Sequence, residues 1–326
     1  MRILIVKLSS LGDVVHAMPA VQDILASLPG ASVDWVVERS FAPLVRRCRG
    51  VQRVVECEIR RWRKSPLSSQ TRSEWRAFRE ALREVPYDAV IDVQGLTKSA
   101  LVARTARLAR GGKRYALANQ TEGSSYEAPT RWVADVAIRI EPHVHAVTRT
   151  RELCARALGY EVPASLSYGL QSQALDASTA SKPCIAFVHG TSRDDKLWPE
   201  ANWVELGQRL IADGCTIGLP QGSDEERARS ERIANALGVN AQVWPHMDLG
   251  ALTDRLASCT GVIGVDSGLS HIAVALDLPH VQIYNFDTAW RTGPLVADAK
   301  QQSVYAQQSP SLEAVWSAWT RVRNAK

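Results

Sequence analysis

The sequence predicts an α/β protein with two Rossmann-like domains, each a doubly wound parallel sheet, that we expect to face a central cleft. Short apolar segments alternate with longer amphipathic ones, which is the order that parallel sheets require. The alternation stops over residues 160–183, where serine, alanine and proline accumulate, and starts again at Cys184. Loops at the carboxyl ends of the strands would line the cleft and carry the ligand site.

The first half begins with the strand RILIV at residues 2–6. Three more segments have the apolar, β-branched composition of strands, and three have helical spacing of their apolar residues. The strands are predicted at 32–37, 51–57 and 88–93, and the helices at 13–28, 73–84 and 97–110.

The second half repeats this pattern and ends in a helix over 310–323, with Trp316 and Trp319 on its apolar face. Its strands are predicted at 184–190, 215–220, 241–245, 261–268 and 280–286, and its helices at 200–213, 224–237, 248–259 and 269–277. The predicted organisation is a first Rossmann-like domain at 1–165, a linker at 166–183, a second Rossmann-like domain at 184–309 and a closing helix at 310–326.

The composition is that of an ordinary soluble protein, with 45% hydrophobic and 22% charged residues in 326. The chain has no apolar run of membrane-spanning length and no signal-peptide pattern. Its six cysteines are scattered without a Cys-x-x-Cys pair. We therefore expect a cytoplasmic protein without a disulfide framework or a zinc site.

The net charge of +5 is unevenly distributed. Residues 39–114 hold 19 lysines and arginines against 7 acidic residues, a local net charge of +12. Such a segment suits an anionic partner: a phosphorylated substrate, a nucleic acid or a membrane surface. The run of residues 60–64 places four charges in five positions and favours a bound anion. Four arginines at helical spacing are instead typical of a solvated helix face: Arg72, Arg76, Arg79 and Arg83.

Several classes are disfavoured by motifs that the sequence lacks. It has no G-x-x-x-x-G-K-[ST], no G-x-G-x-x-G after the first strand and no H-E-x-x-H, which argues against a P-loop ATPase, a dinucleotide dehydrogenase and a zinc protease. GVDSG at 264–268 departs from the G-x-S-x-G spacing of α/β-hydrolases. No carboxylate cluster has metal-ligand spacing. Apart from Trp62 and Trp75, aromatic residues do not alternate with the arginines, so no nucleic-acid partner is expected.

The stretch KLSSLGD, residues 7–13, connects the first strand to the first helix. Gly12 permits a tight turn, and Asp13 lies at the start of the helix. An aspartate there is either an N-cap, worth about 1 kcal/mol, or a carboxylate that accepts a proton from a substrate hydroxyl in the cleft. The residues alone leave both interpretations open.

Three loops of the second half have the chemistry of a phosphate or ribose site. HGTSRDDKLW at 189–198 offers hydroxyls and a lysine for a phosphate. PQGSDEER at 220–227 offers a glutamate for ribose hydroxyls, although the helix dipole alone favours acidic residues there. VDSGLSH at 265–271 opens a helix whose N–H groups suit a diphosphate, and its histidine is either a phosphate ligand or a packed core residue. The division into a nucleotide-binding second domain and a first domain with a carboxylate and a basic cluster is typical of a GT-B glycosyltransferase.

Six stretches resemble lipopolysaccharide core heptosyltransferases, and most of all the heptosyltransferase I group. They follow the family's order along nearly the whole chain. The stretches are KLSSLGDVVHAMPA at the start, IRRWRK at 59–64, DVQGLTKS at 92–99, RTRELCARALGY at 149–160, TSRDDKLWP at 191–199 and VDSGLSH at 265–271.

The resemblance implies inverting transfer of L-glycero-D-manno-heptose from ADP-heptose to the inner Kdo of Kdo-lipid A, without a metal or cofactor. It also implies peripheral association with the anionic cytoplasmic face of the inner membrane. Asp13 would be the general base, and Lys196 would assist the leaving diphosphate. The donor-binding residues would be Thr191, Ser192, Lys196, Glu226, Met247, Asp266, Ser267, Gly268 and His271. The acceptor-binding residues would be Lys7, Ser9, Ser10, Gly12, Arg60, Arg61, Arg63, Lys64, Gln94 and Lys98.

The chain departs from the family in the loop at 284–294, where Asn285 and Phe286 replace the Gly-Pro of a G-P-T-D-P-like motif. Gln221 stands where a tryptophan is usual. The ribose ligand is Glu225 or Glu226, depending on a one-residue alignment choice.

The main alternative is a heptosyltransferase II- or III-like enzyme, or another GT-B transferase, with a different acceptor sugar. A non-catalytic ADP-sugar sensor is a third interpretation.

Overall fold

The computed structural model describes residues 1–173, 182–295 and 299–325. The chain forms two compact units, Met1–Gln171 and Ser172–Lys326. Their boundary falls inside the segment predicted as a linker, of which residues 174–181 lie outside the described residues. Residues just before the boundary pack with the first unit, because the Arg49 N–H donates to the Gly169 carbonyl at 2.8 Å.

Six parallel strands form the sheet of the first unit: β1 (Arg2–Val6), β2 (Ser32–Glu38), β3 (Val51–Cys57), β4 (Tyr87–Asp92), β5 (Leu108–Leu117) and β6 (Val136–Ile138). Their order across the sheet is β3-β2-β1-β4-β5-β6. The helices are α1 (Leu11–Ser27), α2 (Ala42–Val45), α3 (Ile59–Trp62), α4 (Ser69–Arg83), α5 (Thr97–Thr105), α6 (Thr130–Val133) and α7 (Ala146–Leu158).

The strand order reverses direction between β1 and β4. Val6 at the end of β1 pairs with both Val36 and Asp92, so the carboxyl ends of the central strands are level. Such a switch point leaves a crevice at the carboxyl ends of a parallel sheet. The loops that follow β1 and β4 therefore meet there.

The helix predicted over 97–110 is wrong beyond Thr105. Ala106 has extended backbone angles, and the chain then forms β5 beside β4. The middle of β5, residues 110–114, contains no apolar side chain, and Gly111 there has a φ of +80°, a left-handed conformation that glycine adopts easily. Apolar periodicity therefore gave no strand signal here. The structure also contains β6 and α7, for which no element was predicted.

A second sheet of six parallel strands forms the other unit: β7 (Cys184–Val188), β8 (Thr216–Leu219), β9 (Ala241–Val243), β10 (Gly261–Val265), β11 (His280–Tyr284) and β12 (Gln301–Tyr305). Their order is β12-β11-β10-β7-β8-β9. The helices are α8 (Glu200–Ala212), α9 (Asp224–Leu237), α10 (Leu249–Ala257), α11 (Gly268–Ala275), α12 (Ala289–Thr292) and α13 (Leu312–Arg323). No strand was predicted at β12, which begins with three consecutive polar residues and is partly exposed.

This sheet has its own switch point, between β7 and β10, where Gly264 pairs with Val188. A Cβ at Gly264 would lie 2.4 Å from the Ser270 hydroxyl, so glycine lets α11 pack closely on β10. The loops after β7 and β10 meet at this point. On one face of the sheet lies an apolar core that includes Trp203 and Trp319, so the predicted C-terminal helix, as α13, buries a tryptophan there.

Candidate active site

The first cluster of predicted residues lies at the switch point between β1 and β4, and we call it the Asp13 site. Gln94, after β4, holds the loop that follows β1. Its Oε1 accepts hydrogen bonds from the backbone N–H groups of Leu8 at 2.7 Å and Ser9 at 3.2 Å, and its Nε2 donates to the Ser9 carbonyl at 2.7 Å. Lys98 Nζ lies 3.4 Å from Ser9 Oγ. The structure thus brings together the residues predicted after the two strands.

Asp92 shapes the turn that presents Gln94. Its carboxylate accepts hydrogen bonds from the N–H groups of Gln94 and Gly95 at 3.0 and 3.2 Å, and from the Ser99 hydroxyl at 2.9 Å. Gly95 has a φ of +77°, which favours glycine. Burial raises the pKa of Asp92 to about 6, against the effect of these hydrogen bonds. Asp92 is enclosed, so we assign it to the support of the loop.

Asp13 is not the N-cap of α1, so that interpretation of its position is wrong. Ser10 is the N-cap, and Asp13 occupies the third helical position. Asp13 Oδ2 accepts hydrogen bonds from the Ser10 N–H at 3.2 Å and the Ser10 hydroxyl at 3.0 Å. This is one half of a capping box, in which an acidic residue satisfies the N-cap amide. One carboxylate oxygen is therefore fixed by the helix start.

The other oxygen of Asp13 faces two cations. Oδ1 lies 3.7 Å from Lys7 Nζ and 3.8 Å from Arg149 Nη2. The side chains of Lys7 and Arg149 are only 4% and 8% exposed, whereas that of Asp13 is 38% exposed. Burial favours a higher pKa for Asp13, but the two cations and the Ser10 hydrogen bonds outweigh it and hold the pKa below its usual value. The site presents an ionised carboxylate at neutral pH.

Arg149 is a site residue to which sequence reasoning gave no role. It comes from the first turn of α7, and its Nη1 donates to the Thr121 hydroxyl at 3.0 Å. Its place at the start of RTRELCARALGY was the available signal. The spacing of 136 positions from Asp13 hides the contact, because only the packing of α7 against α1 brings the two residues together.

The basic run after β3 divides into two parts. Arg61 forms ion pairs with Glu58, at 2.6 Å, and with Glu74 of α4. Trp62 is buried and donates to Glu74 at 2.7 Å. Carboxylates of the chain itself therefore supply counter-charge at the centre of this run. The other three cations have exposed side chains: Arg60, Arg63 and Lys64.

The second cluster lies at the switch point between β7 and β10, and we call it the Lys196 site. Lys196 Nζ donates to Asp266 Oδ2 at 2.6 Å. His271 Nε2 lies 3.6 Å from the other oxygen of Asp266. The Thr191 hydroxyl donates to the Asp266 carbonyl at 3.3 Å. Asp266 is buried and Lys196 half-buried, so the carboxylate holds the ammonium group at the surface of the crevice.

Ser267 is the N-cap of α11, whose first residue is Gly268. Its Oγ is buried and has no hydrogen-bond partner among the described residues. The N–H groups of the first turn of a helix point out of its start and suit an anion. A hydroxyl, a helix N-terminus and the Lys196 ammonium thus meet at this switch point.

The structure distinguishes between the two candidate glutamates after β8. Glu226 Oε2 accepts a hydrogen bond from the Gly222 N–H at 2.7 Å. A Cβ added to Gly190, after β7, would lie 2.4 Å from Glu226 Oε1, so the carboxylate lies directly against the loop of the Lys196 site. Glu225, by contrast, is exposed.

The two remaining predicted donor residues lie in loops that follow strands, β7 for Ser192 and β9 for Met247. Ser192 is exposed in the loop after β7. Met247 is half-buried in the loop before α10.

Within residues 1–173, 182–295 and 299–325, no group of three or more His, Cys, Asp or Glu side chains could hold a metal ion. No helix in this part of the chain is long and apolar enough to span a membrane.

Three comparisons relate the chain to known proteins. Residues 75–318 match the model of glycosyltransferase family 9 (heptosyltransferase). Lipopolysaccharide heptosyltransferase 1 of Pseudomonas aeruginosa is 41% identical over 291 residues, which cover 87% of this chain and 78% of the relative.

Two solved structures have the same fold over almost the whole chain. E. coli heptosyltransferase WaaC with ADP superimposes with a TM-score of 0.85 at 36% identity, covering 97% of this chain and 98% of WaaC. WaaC with ADP-2-deoxy-2-fluoro heptose gives a TM-score of 0.79 at the same identity, covering 99% and 98%. The predicted fold class, two doubly wound parallel sheets of the GT-B type, is confirmed. The chain belongs to glycosyltransferase family 9, the heptosyltransferases.

Proposed function

We propose that this glycosyltransferase moves L-glycero-D-manno-heptose from ADP-heptose to the inner Kdo of Kdo-lipid A, in the inner core of lipopolysaccharide. The single observation that carries the proposal is the 41% identity to a lipopolysaccharide heptosyltransferase 1 over most of both chains. The two loop clusters supply suitable chemistry. One offers a carboxylate for the acceptor hydroxyl, and the other offers a cation and a helix N-terminus for the leaving diphosphate.

In the transfer, an acceptor oxygen bonds to the anomeric carbon while the bond from that carbon to the diphosphate breaks. The electron pair of the broken bond leaves with ADP, and attack from the opposite face inverts the anomeric centre. Asp13 takes the proton of the acceptor hydroxyl. A carboxylate with a lowered pKa is a weak base towards a neutral alcohol. We therefore place the proton transfer late, when bond formation has already made the hydroxyl acidic.

The Lys196 site would hold the diphosphate. Lys196 and the first N–H groups of α11 would offset the charge that develops on the leaving group. The buried hydroxyl of Ser267, which has no hydrogen-bond partner among the described residues, would donate to a phosphate oxygen. Thr191, Ser192 and His271 would complete the cradle. Glu226 would bind the ribose, and Met247 would lie beside the adenine.

Acceptor binding would use the exposed cations of the basic run. Lipid A phosphates and Kdo carboxylates are anionic, and Arg60, Arg63 and Lys64 have exposed side chains. Leu67 nearby is 84% exposed, which suits contact with an acyl or interfacial region. The arginines of α4 are exposed as well. We infer peripheral docking on an anionic membrane, with the acceptor gripped by the same face.

The function is tested by incubating the protein with ADP-heptose and one of two acceptors, delipidated Kdo-lipid A or its heptosylated form. Mass spectrometry of the product is the readout. We expect addition of one heptose to the Kdo acceptor. Transfer only to the heptosylated acceptor would favour the heptosyltransferase II-like alternative, and binding of ADP-heptose without transfer to any acceptor would favour a sensor.

Docking is tested by sedimentation with vesicles that contain phosphatidylglycerol, at low and high salt. Each basic side chain near an anionic surface contributes about 1 kcal/mol, so a variant with Arg60, Arg63 and Lys64 all changed to alanine should bind about a hundredfold more weakly. Removal of three cations from the second unit, at Arg227, Lys300 and Arg321, controls for net charge. Equal binding by the two triple variants would contradict the assigned surface.

A further inference from the structure

Asn285, the first residue after β11, makes two hydrogen bonds on either side of Lys196. Its side chain is buried, with a residue exposure of 8%. Its Nδ2 donates to the carbonyls of Asp195 and Leu197, both at 3.0 Å. Both amide hydrogens therefore hold the backbone immediately before and after Lys196.

The segment that carries Lys196 has a single turn of 3-10 helix at Asp194–Lys196. Within it, the Lys196 N–H donates to the Arg193 carbonyl at 3.1 Å. The side chains of residues 192–195 are exposed, so packing constrains them little. The loop after β11 makes a second contact with this segment, because the Arg193 guanidinium lies 5.7 Å from the ring centroid of Phe286.

The strand order explains why residues from β11 reach Lys196. β10 lies between β7 and β11, and Asp266 follows β10. The Asp266 N–H donates to the Ile283 carbonyl of β11 at 3.0 Å, and the Asp266 carboxylate holds Lys196 Nζ at 2.6 Å. Asp266 thus fixes the ammonium group of the lysine, while Asn285 fixes its backbone.

The chemistry of this contact requires a carboxamide. An asparagine offers two N–H donors to two carbonyls without adding a charge beside a diphosphate site. An aspartate would place carboxylate oxygens against both carbonyls, and an alanine or glycine would leave both without this donor. Asn285 Oδ1 has no hydrogen-bond partner among the described residues, so the amide is held through its donors.

We propose that Asn285 is a positioning residue that holds the 3-10 turn in the form that presents Lys196 to the diphosphate of the donor. The proposal rests on the proposed function, because it concerns how the Lys196 site binds the diphosphate of ADP-heptose. The resemblance implies a Gly-Pro at this place, and neither glycine nor proline has a side-chain amide that could make the contact. Loss of Asn285 should weaken binding of ADP through a displaced Lys196.

The test is calorimetric titration of ADP into the wild type and into Asn285→Ala and Asn285→Asp. We expect the dissociation constant for ADP to rise about tenfold in the alanine variant, which is the effect of losing a hydrogen bond that positions a charged group. The dissociation constant should rise further in the aspartate variant. Gln301→Ala is the matched control. Gln301 Nε2 also bridges two carbonyls, those of Val274 and Leu278, but at the opposite end of the sheet. That variant should lose thermal stability and keep the affinity for ADP.

A double-mutant cycle with Lys196→Ala separates positioning from a general structural role. If Asn285 acts through the lysine, Asn285→Ala should have no further effect on ADP affinity when Lys196 is absent. Unchanged affinity in the Asn285 variants, or an equal loss in the Lys196→Ala background, would overturn the proposal. Asn285→Gly, the residue of the resembling sequences, replaces Asn285→Ala if that variant does not fold. A wild type that does not bind ADP would overturn the proposed function as well.

Discussion

The Asp13 site and the Lys196 site occupy equivalent positions in two sheets but have opposite charge arrangements. Each contains an ion pair at a topological switch point, between β1 and β4 in one unit and between β7 and β10 in the other. In the first, the carboxylate of Asp13 is 38% exposed and its partner Lys7 is 4% exposed. In the second, the ammonium of Lys196 is 20% exposed and its partner Asp266 is 7% exposed.

The difference shows which member of each pair is available for a substrate. A buried partner fixes the position and the charge of the exposed group, which can then act on a ligand. On this view the first sheet presents a base and the second presents a cation. A transfer that releases a diphosphate needs one of each.

Replacement of Asp13 by asparagine should have the largest effect. Asparagine keeps the size of the side chain and can still accept the hydrogen bond from the Ser10 N–H, so α1 should survive. It cannot take a proton, so kcat for heptose transfer should fall by about a hundredfold or more. The measurement is steady-state transfer, with thermal unfolding and ADP binding as controls. Full activity in this variant would show that Asp13 only supports the helix start.

Replacement of Lys196 by methionine should affect the donor side. The variant loses the ammonium group that faces the leaving diphosphate, so kcat/KM for ADP-heptose should fall by about ten- to a hundredfold. The dissociation constant for ADP, measured by calorimetry, should rise as well. The KM for the acceptor should stay unchanged. A weaker binding of the acceptor alone, with ADP binding unchanged, would contradict the assignment of Lys196 to the donor side.

The adjacent glutamates after β8 provide a matched pair. Glu226→Gln should weaken ADP binding by about tenfold. In the wild type, the Glu226 carboxylate lies against the Gly190 loop, where both of its oxygens would accept hydrogen bonds from the ribose hydroxyls. Glu225→Gln removes the same charge one residue away, from an exposed position. Calorimetry on both variants should separate them. Equal effects would mean that only the acidic helix start matters.

Much of the fold was predictable because most of its strands are apolar. β5 and β12 escaped prediction because many of their side chains are polar and partly exposed. In the candidate site, the loop residues at strand ends were predictable from glycine and hydroxyl patterns. The contact of Arg149 with Asp13 and the pairing of Arg61 with Glu74 were not predictable, because both depend on helix packing.

Replacement of Arg149 by methionine should have the smallest effect on heptose transfer. We expect it to change the pH dependence of kcat/KM. Asp13 must be ionised to accept a proton, so kcat/KM should fall as the pH drops through its pKa. Burial favours a higher pKa, and Lys7 and Arg149 oppose it. Without Arg149, one of the charges that lower the pKa of Asp13 is lost, so the acid limb of the pH–rate profile should move to higher pH. Arg156→Met, on the exposed side of α7, removes the same charge and should leave the limb in place.

Acid unfolding checks the same electrostatic balance without catalysis. A carboxylate whose pKa is lowered in the folded state contributes stability above its unfolded pKa, about 4, and this stability is lost as the pH falls through the folded value. The Arg149→Met variant has less of this stability to lose, so its free energy of unfolding should depend less on pH in this acid range. Urea unfolding between pH 3 and 6 measures the difference. An unshifted acid limb together with an unchanged unfolding profile would mean that Lys7 alone sets the charge state of Asp13.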